Sequence, residues 1–311
     1  MRRSRLRVRR DTQQLPRFSI SQVSTLAASF GDDVRAYAAA GVDGIGVWEL
    51  KLGDATDEQA LEHLTASGLG SASAVPAVPS ILPLPLLPGP EEPPQRIASL
   101  CASVHRLARF GPSAIVCLTG PAGGRDPDEA RRIVVDGLRD VAREAESAGV
   151  RLALEPFQRE GIEDWAIVNT LGDAAELIAE VGSDAVGIQF DVWHLWNTPD
   201  LLEEIPRYAH LIAGVHVSDW RAPTRGWADR VLPGAGAADL PTILGVLEDV
   251  GWEGFYDLEI FSDNGAFGTA YPDSLWDLDA AELARRGREA FFSCWSERRV
   301  TATAVGRRGE T

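Results

Sequence analysis

Apolar residues along this chain follow two alternating rhythms. Short, β-rich apolar runs occur at Phe18–Val23, Gly44–Trp48, Ser71–Val75, Ala114–Leu118, Arg151–Leu154, Val186–Phe190, Ile212–Val217 and Phe255–Ile260, and they predict eight strands. Between them lie longer stretches in which apolar positions recur every three or four residues. In Asp126–Ala148, for example, Ile133, Val134, Leu138 and Val141 mark the buried face of a helix. Asp200–Tyr208 and Asp239–Val250 read the same way, each with an acidic residue near its start where the helix dipole favours it. Strands alternating with helices imply parallel pairing through right-handed crossovers. Eight such units between residues 18 and 297 predict an α/β fold, a closed (β/α)8 TIM barrel forming a single domain. A doubly wound open sheet would want a glycine-rich phosphate loop after the first strand, and Ser21-Gln22-Val23-Ser24-Thr25 offers none. The Pro-rich piece Val75–Pro94 is expected to form a long loop over one end of the barrel. Residues 1–17 are expected to be a disordered, Arg-rich tail, and residues 298–311 a flexible one.

Composition narrows the class. Hydrophobic content of 45% and charged content of 24% are ordinary for a globular protein with a sizeable core. No apolar run approaches the roughly 20 residues of a membrane span, so no membrane partner is expected. Net charge is −16 despite six arginines in the first ten residues, and so acidic a body repels phosphate backbones, which disfavours nucleic acid. Cys101, Cys117 and Cys294 show no metal-binding or disulfide spacing and sit among apolar neighbours. Together with a start that lacks a secretion signal's apolar stretch, they point to the reducing cytoplasm.

In a barrel the chemistry sits at the C-terminal ends of the strands, so the residues that close each strand matter most. The fifth to eighth strands end at Glu155, Asp191, His216 and Glu259, at separations of 36, 25 and 43 residues, each about one strand–helix unit. Any one of these has a bland explanation: a carboxylate at a strand end is often a helix cap or a salt-bridge partner, and His216 between two valines could be a core histidine. Four in register on neighbouring strands is harder to explain that way, because charges buried in a barrel mouth cost several kcal/mol unless paired or bound to an ion. Three carboxylates and one imidazole form a mostly oxygen site suited to one divalent cation, Mn²⁺ first, with Mg²⁺, Co²⁺ or Zn²⁺ as alternatives.

Three segments then resemble the sugar phosphate isomerase/epimerase superfamily, the xylose-isomerase-like TIM barrels that include ketose 3-epimerases and 2-keto-myo-inositol isomerases. They are Leu154-Glu155-Pro156, Asp191-Val192-Trp193-His194, and His216-Val217-Ser218-Asp219 with the later Arg230-Val231-Leu232-Pro233-Gly234-Ala235-Gly236. The last is similar to the family's R-x-x-PGxG stretch, with Ala235 where an acidic residue is common. The resemblance implies that Glu155, Asp191, His216 and Glu259 are metal ligands and that Glu155 and Glu259 are also the acid/base pair. It further implies that His194 and, at a less secure offset, Arg221 contact substrate. Trp48 and Glu49, which close the second strand, are candidates for lining the pocket. The implied reaction is isomerisation or epimerisation of a small keto sugar or keto-inositol by proton transfer through an enediolate.

Rivals sort by chemistry. A hydride-shift isomerase relies on two metals and a lysine, and the only lysine here is Lys51, on the loop after strand two. An endonuclease-type zinc cluster needs more than this chain's five histidines, of which His63, His105 and His210 fall in helices. A lyase remains: the same enolate beside a β-leaving group would expel it, as in an inosose dehydratase or in C-glycoside cleavage of a 3-keto sugar. A non-catalytic sugar-binding barrel is the remaining class. Tyr271–Trp276 reads as a rim loop or a subunit contact, which leaves a homo-oligomer open.

Overall fold

The computed structural model describes residues 15–298 apart from 54–55, 86, 88 and 159–164; the two tails of the sequence reading lie otherwise outside the described residues. Ten strands and nine helices occur among the described residues. The strands are β1 (Arg17–Ser21), β2 (Gly44–Trp48), β3 (Gly70–Val75), β4 (Ala114–Cys117), β5 (Leu152–Leu154), β6 (Val186–Asp191), β7 (Ile212–Val217), β8 (Asp219–Trp220), β9 (Arg230–Val231) and β10 (Phe255–Leu258). The helices are α1 (Phe30–Ala39), α2 (Asp57–Ser67), α3 (Pro93–Ala108), α4 (Pro127–Ala148), α5 (Leu171–Val181), α6 (Val192–Leu195), α7 (Leu201–Tyr208), α8 (Leu240–Asp249) and α9 (Ala280–Glu297). Strands β1 to β7 and β10 close into one parallel barrel, and β8 pairs with β9 as a short antiparallel ribbon above it. The chain is thus a single TIM barrel.

Local chemistry fixes the elements. Thr56 and Thr170 each cap a helix reciprocally, with Gln59 and Asp173 respectively, and the Asp126 carboxylate accepts two backbone N–H groups at the start of α4. Helix α4 ends at Gly149, whose φ of 70° suits a residue without a Cβ. The first strand is shorter than its apolar run. Gln22–Thr25 turns into a 3₁₀ segment because its side chains find partners outside the sheet. Gln22 and Thr25 donate to the buried Asp33 carboxylate, and Lys51 lies 2.6 Å from that same carboxylate. Lys51 is therefore committed to tying the loops after β1 and β2 to α1.

Two large apolar clusters build the barrel and its mouth. The larger lies between the barrel wall and the helices and includes Phe18, Ile45, Leu138, Ile188 and Phe291. A second caps the barrel's C-terminal mouth, with Trp48, Val75, Leu84, Val116, Phe157, Trp193 and Phe261 among its members. The Pro-rich loop between β3 and α3 supplies part of it. That loop is pinned by the buried Arg96, which donates to the Ser80 carbonyl, the Ser80 hydroxyl and the Pro90 carbonyl. No helix among the described residues is long and apolar enough to cross a membrane. The three cysteines are unpaired, and Cys117 and Cys294 are buried.

A candidate metal centre in the barrel mouth

Parallel register sets the height of each side chain. Asp191 on β6 pairs with His216 on β7, and His216 pairs with Asp257 on β10, so these three lie in one layer. Alternation along a strand then carries Glu259 to the same face as Asp257, one step closer to the mouth. Glu155 follows β5 directly, its backbone N–H still donating to the Cys117 carbonyl. Ligand atoms of Glu155, Asp191, His216 and Glu259 all lie within 4.8 Å of one another, and all four residues are buried.

The ionisation balance shows what this proximity costs. Burial pushes Glu155 up to about 7, with the Glu259 charge adding to the rise and His216 opposing it. Burial also raises Asp191, against the pull of Arg230. Glu259 ends below its ordinary value because His216 and Arg230 outweigh its burial. His216 in turn is held well above the usual imidazole value: burial works against its charge, but Glu259 and Glu155 overcome it. Arg230 Nη1 donates to Asp191 Oδ2 at 2.9 Å and to Glu259 Oε2 at 3.0 Å, while its guanidinium lies between the rings of Trp193 and Phe261.

This pairing is incomplete, and the gap is what an ion would fill. His216 Nδ1 stands 3.5 Å from Glu155 Oε1 and 3.4 Å from Glu259 Oε2, and neither Nδ1 nor Glu155 Oε1 has a hydrogen-bond partner. A carboxylate oxygen and an imidazole nitrogen left without partners among three carboxylates fit a divalent cation, which would take the place of the imidazole proton. The four residues could hold one. The other side of the imidazole is backed by protein: Nε2 is 3.5 Å from Ser73 Oγ and 3.9 Å from Asp257 Oδ2. Asp257 in turn accepts from the Ser19 and Ser73 hydroxyls, and burial pushes it up to about 6. Backing of this kind orients a ligating histidine.

Above the cluster opens a pocket with about 530 Å³ of empty space, its mouth included. His194 and Trp48, both anticipated from sequence, line it. His194 is held neutral by burial and by the neighbouring Arg230 charge. Its Nε2 lies 3.5 Å from Arg230 Nη2, which can only donate, so Nε2 accepts and Nδ1–H is left without a partner. Its ring lies 4.1 Å from that of Phe157.

Two anticipated residues are placed elsewhere. Glu49 turns away: its carboxylate accepts from the Ala77 N–H and from Arg106, and it does not line the pocket. Arg221 is directed to the rim, donating to Asp229 and Asp273. The arginine that reaches the cluster is Arg230, the first residue of the RVLPGAG stretch, to which the sequence analysis assigned no contact of its own. Asp219 accepts the N–H groups of Trp220, Gly234, Gly236 and Ala238. It thereby shapes the PGAG turn, where a Cβ on Gly236 would meet the Asp219 carboxylate at 2.4 Å. Phe157, Trp165, Trp227 and Phe261 complete the aromatic lining, and their positions on loops gave no periodic signal.

Known proteins share this frame. An inosose isomerase from Halalkalibacterium halodurans is 29% identical over 137 residues, covering 43% of this chain and 47% of its own. A D-psicose 3-epimerase from Enterocloster bolteae is 27% identical over 172 residues, covering 54% and 53%. The chain thus spans about half the length of the curated relatives it matches. A crystal structure from Sinorhizobium meliloti 1021 superimposes with a TM-score of 0.79 at 28% identity, over 90% of this chain and 99% of that one. Residues 34–294 match the xylose isomerase-like TIM barrel as a family. This chain belongs to the xylose isomerase-like TIM barrel family.

Proposed function

We propose that this protein is a divalent-metal-dependent isomerase or epimerase that moves a proton on a small keto sugar or keto-inositol. The observation that carries this reading is the buried convergence of Glu155, Asp191, His216 and Glu259 at the floor of a pocket, with Glu155 Oε1 and His216 Nδ1 left without hydrogen-bond partners. The naming of its relatives as sugar isomerases and epimerases supports the same class. A bound cation, Mn²⁺ by preference for an oxygen-rich site, would supply Lewis acidity at the carbonyl and its neighbouring hydroxyl.

The chain's own residues do the rest. Glu155 and Glu259 reach the cluster from β5 and β10, on either side of the β6 and β7 ligands, which suits one to remove the proton alpha to the carbonyl and the other to return it. Arg230 and neutral His194 border the cluster with N–H groups that can hold substrate oxygens, His194 through its unpartnered Nδ1–H. Arg230 Nη1 is shared between two carboxylates and its Nε is unpartnered, so it retains capacity for a further acceptor. The apolar mouth excludes water from the enediolate. On the same reading the protein works in the reducing cytoplasm.

The test is proton exchange followed by NMR in D₂O, with added Mn²⁺, across keto sugars and inososes. Deuterium entering alpha to the carbonyl is expected with an isomeric product. Loss of water or release of a β-substituent in place of isomerisation would make the protein a lyase, and no exchange across the panel would overturn the proposal.

A further inference from the structure

The pocket is divided by chemistry. Among the described residues that line it, sixteen in all, only four are polar (Glu155, His194, Arg230 and Glu259), and all four stand at or above the ends of β5, β6, β7 and β10. The opposite side, above β2, β3 and β4, is Trp48, Val75, Leu84, Leu87, Val116 and Leu118. Two polar groups at the end of β2 are engaged elsewhere. Glu49 is turned to Ala77 and Arg106, and the Trp48 indole N–H donates to Ser21 Oγ at 2.8 Å. The wall is also preformed. Arg96 staples its Pro-rich loop through three hydrogen bonds, and the Ile81 and Leu82 N–H groups donate to the Leu118 and Thr119 carbonyls at the end of β4.

A free keto sugar carries hydroxyls on every carbon beyond the reacting pair. Placed against this wall they would lose water and gain no partner, and each buried, unpaired hydroxyl is penalised. An apolar ring placed there loses nothing and gains contact with aliphatic and indole carbon. Resting on the isomerase reading of the same site, we infer that the substrate is a keto sugar carrying an apolar, aryl-sized group, as an aryl glycoside does. The sugar's hydroxy-ketone faces the carboxylates, and the aryl group lies against the wall formed by Trp48, Val75, Leu84, Leu87, Val116 and Leu118.

Calorimetry on the full-length, Mn²⁺-loaded protein tests this with methyl and phenyl β-D-glucosides oxidised to the 3-ketone, alongside exchange in D₂O. The phenyl compound is expected to bind at least about tenfold more tightly, the benefit of burying one ring. Affinities within threefold of each other overturn the inference and leave the wall as a water-excluding lid. Phenyl preference without proton exchange on either compound keeps the apolar site and removes the isomerase reading; exchange on both without preference does the reverse. Leu84→Asn should pull the phenyl-to-methyl ratio toward one. Val116→Thr, which keeps the side-chain volume, should do so too if Leu84→Asn unsettles the loop. A ratio unmoved by both variants would also overturn the placement.

Discussion

The two halves of the barrel mouth obey opposite rules. Above β5, β6, β7 and β10 the strands end in charged groups packed closer than water would allow them to stay, and above β2, β3 and β4 they end in carbon. The charged half is energetically expensive by itself. Three carboxylates, an imidazole and a guanidinium share one buried space, and their protonation is set by each other more than by solvent. The apolar half is inexpensive and stabilising, since it adds a second hydrophobic cluster to the fold. On the proposed reading one half therefore trades stability for chemistry, and the other supplies some of what is lost.

The hardest test of that division is to remove charge from the reactive half without changing its shape. Glu155→Gln and Glu259→Gln should each lower the rate of proton exchange by about 10²–10⁴-fold, the usual worth of a positioned acid or base. Exchange in D₂O under saturating Mn²⁺ checks this. Retention of more than a tenth of the rate in either variant would remove that residue from the acid/base pair.

Arg230 separates electrostatic cost from catalysis. In the ion-free protein it partners Asp191 and Glu259, so Arg230→Met should leave two buried carboxylates without their cation and destabilise the fold by about 3–5 kcal/mol. Added Mn²⁺ should restore more of the melting temperature in this variant than in the parent, because the ion replaces the missing charge. Thermal melts with and without Mn²⁺ measure this, and an equal gain in both proteins would contradict it.

Ion binding should also depend on pH, with a definite sign. Glu155 titrates near 7 and His216 is held well above its ordinary value by its carboxylate neighbours, so at neutral pH His216 and about half of Glu155 carry protons that must leave before they can ligate. Affinity for Mn²⁺ should therefore rise as pH increases through 7 and weaken below it, approaching about tenfold per pH unit for each proton released. Calorimetry in buffers of different ionisation enthalpy counts those protons directly, and a count of zero at pH 6.5 would refute the assignment.

How much of this was legible beforehand follows the same division. The eight strand runs and the four cluster residues were readable because they are periodic: each closes a buried strand, and barrel geometry converts that position into proximity. Arg230 was quoted in its motif but passed over, because whether Arg221 or Arg230 turns inward depends on the β8–β9 ribbon, a two-residue pairing without a sequence period. Glu49 was misplaced for a related reason. A carboxylate after a strand can face the mouth or the helix layer, and here Arg106 on α3, 57 residues away in sequence, draws it outward. Aromatic residues from the loops close the pocket, and loop conformation is set by contacts distant in sequence.

The smallest expected effect lies on the rim, where the resemblance had put a substrate contact. Arg221 bonds Asp229 and Asp273, but Asp229 is also gripped by Arg225 through its Nε, Nη2 and backbone N–H, and Arg225 reaches Asp273 as well. Removing Arg221 thus leaves neither aspartate unpaired. Arg221→Ala should change stability by no more than about 1 kcal/mol, since Arg225 still pairs both aspartates. It should also leave kcat/KM for exchange within about threefold of the parent. A larger loss of kcat/KM would mean that the loop from β8 to β9 rearranges on substrate binding and swings Arg221 into the mouth, and that the charged half extends further than its ground-state geometry shows.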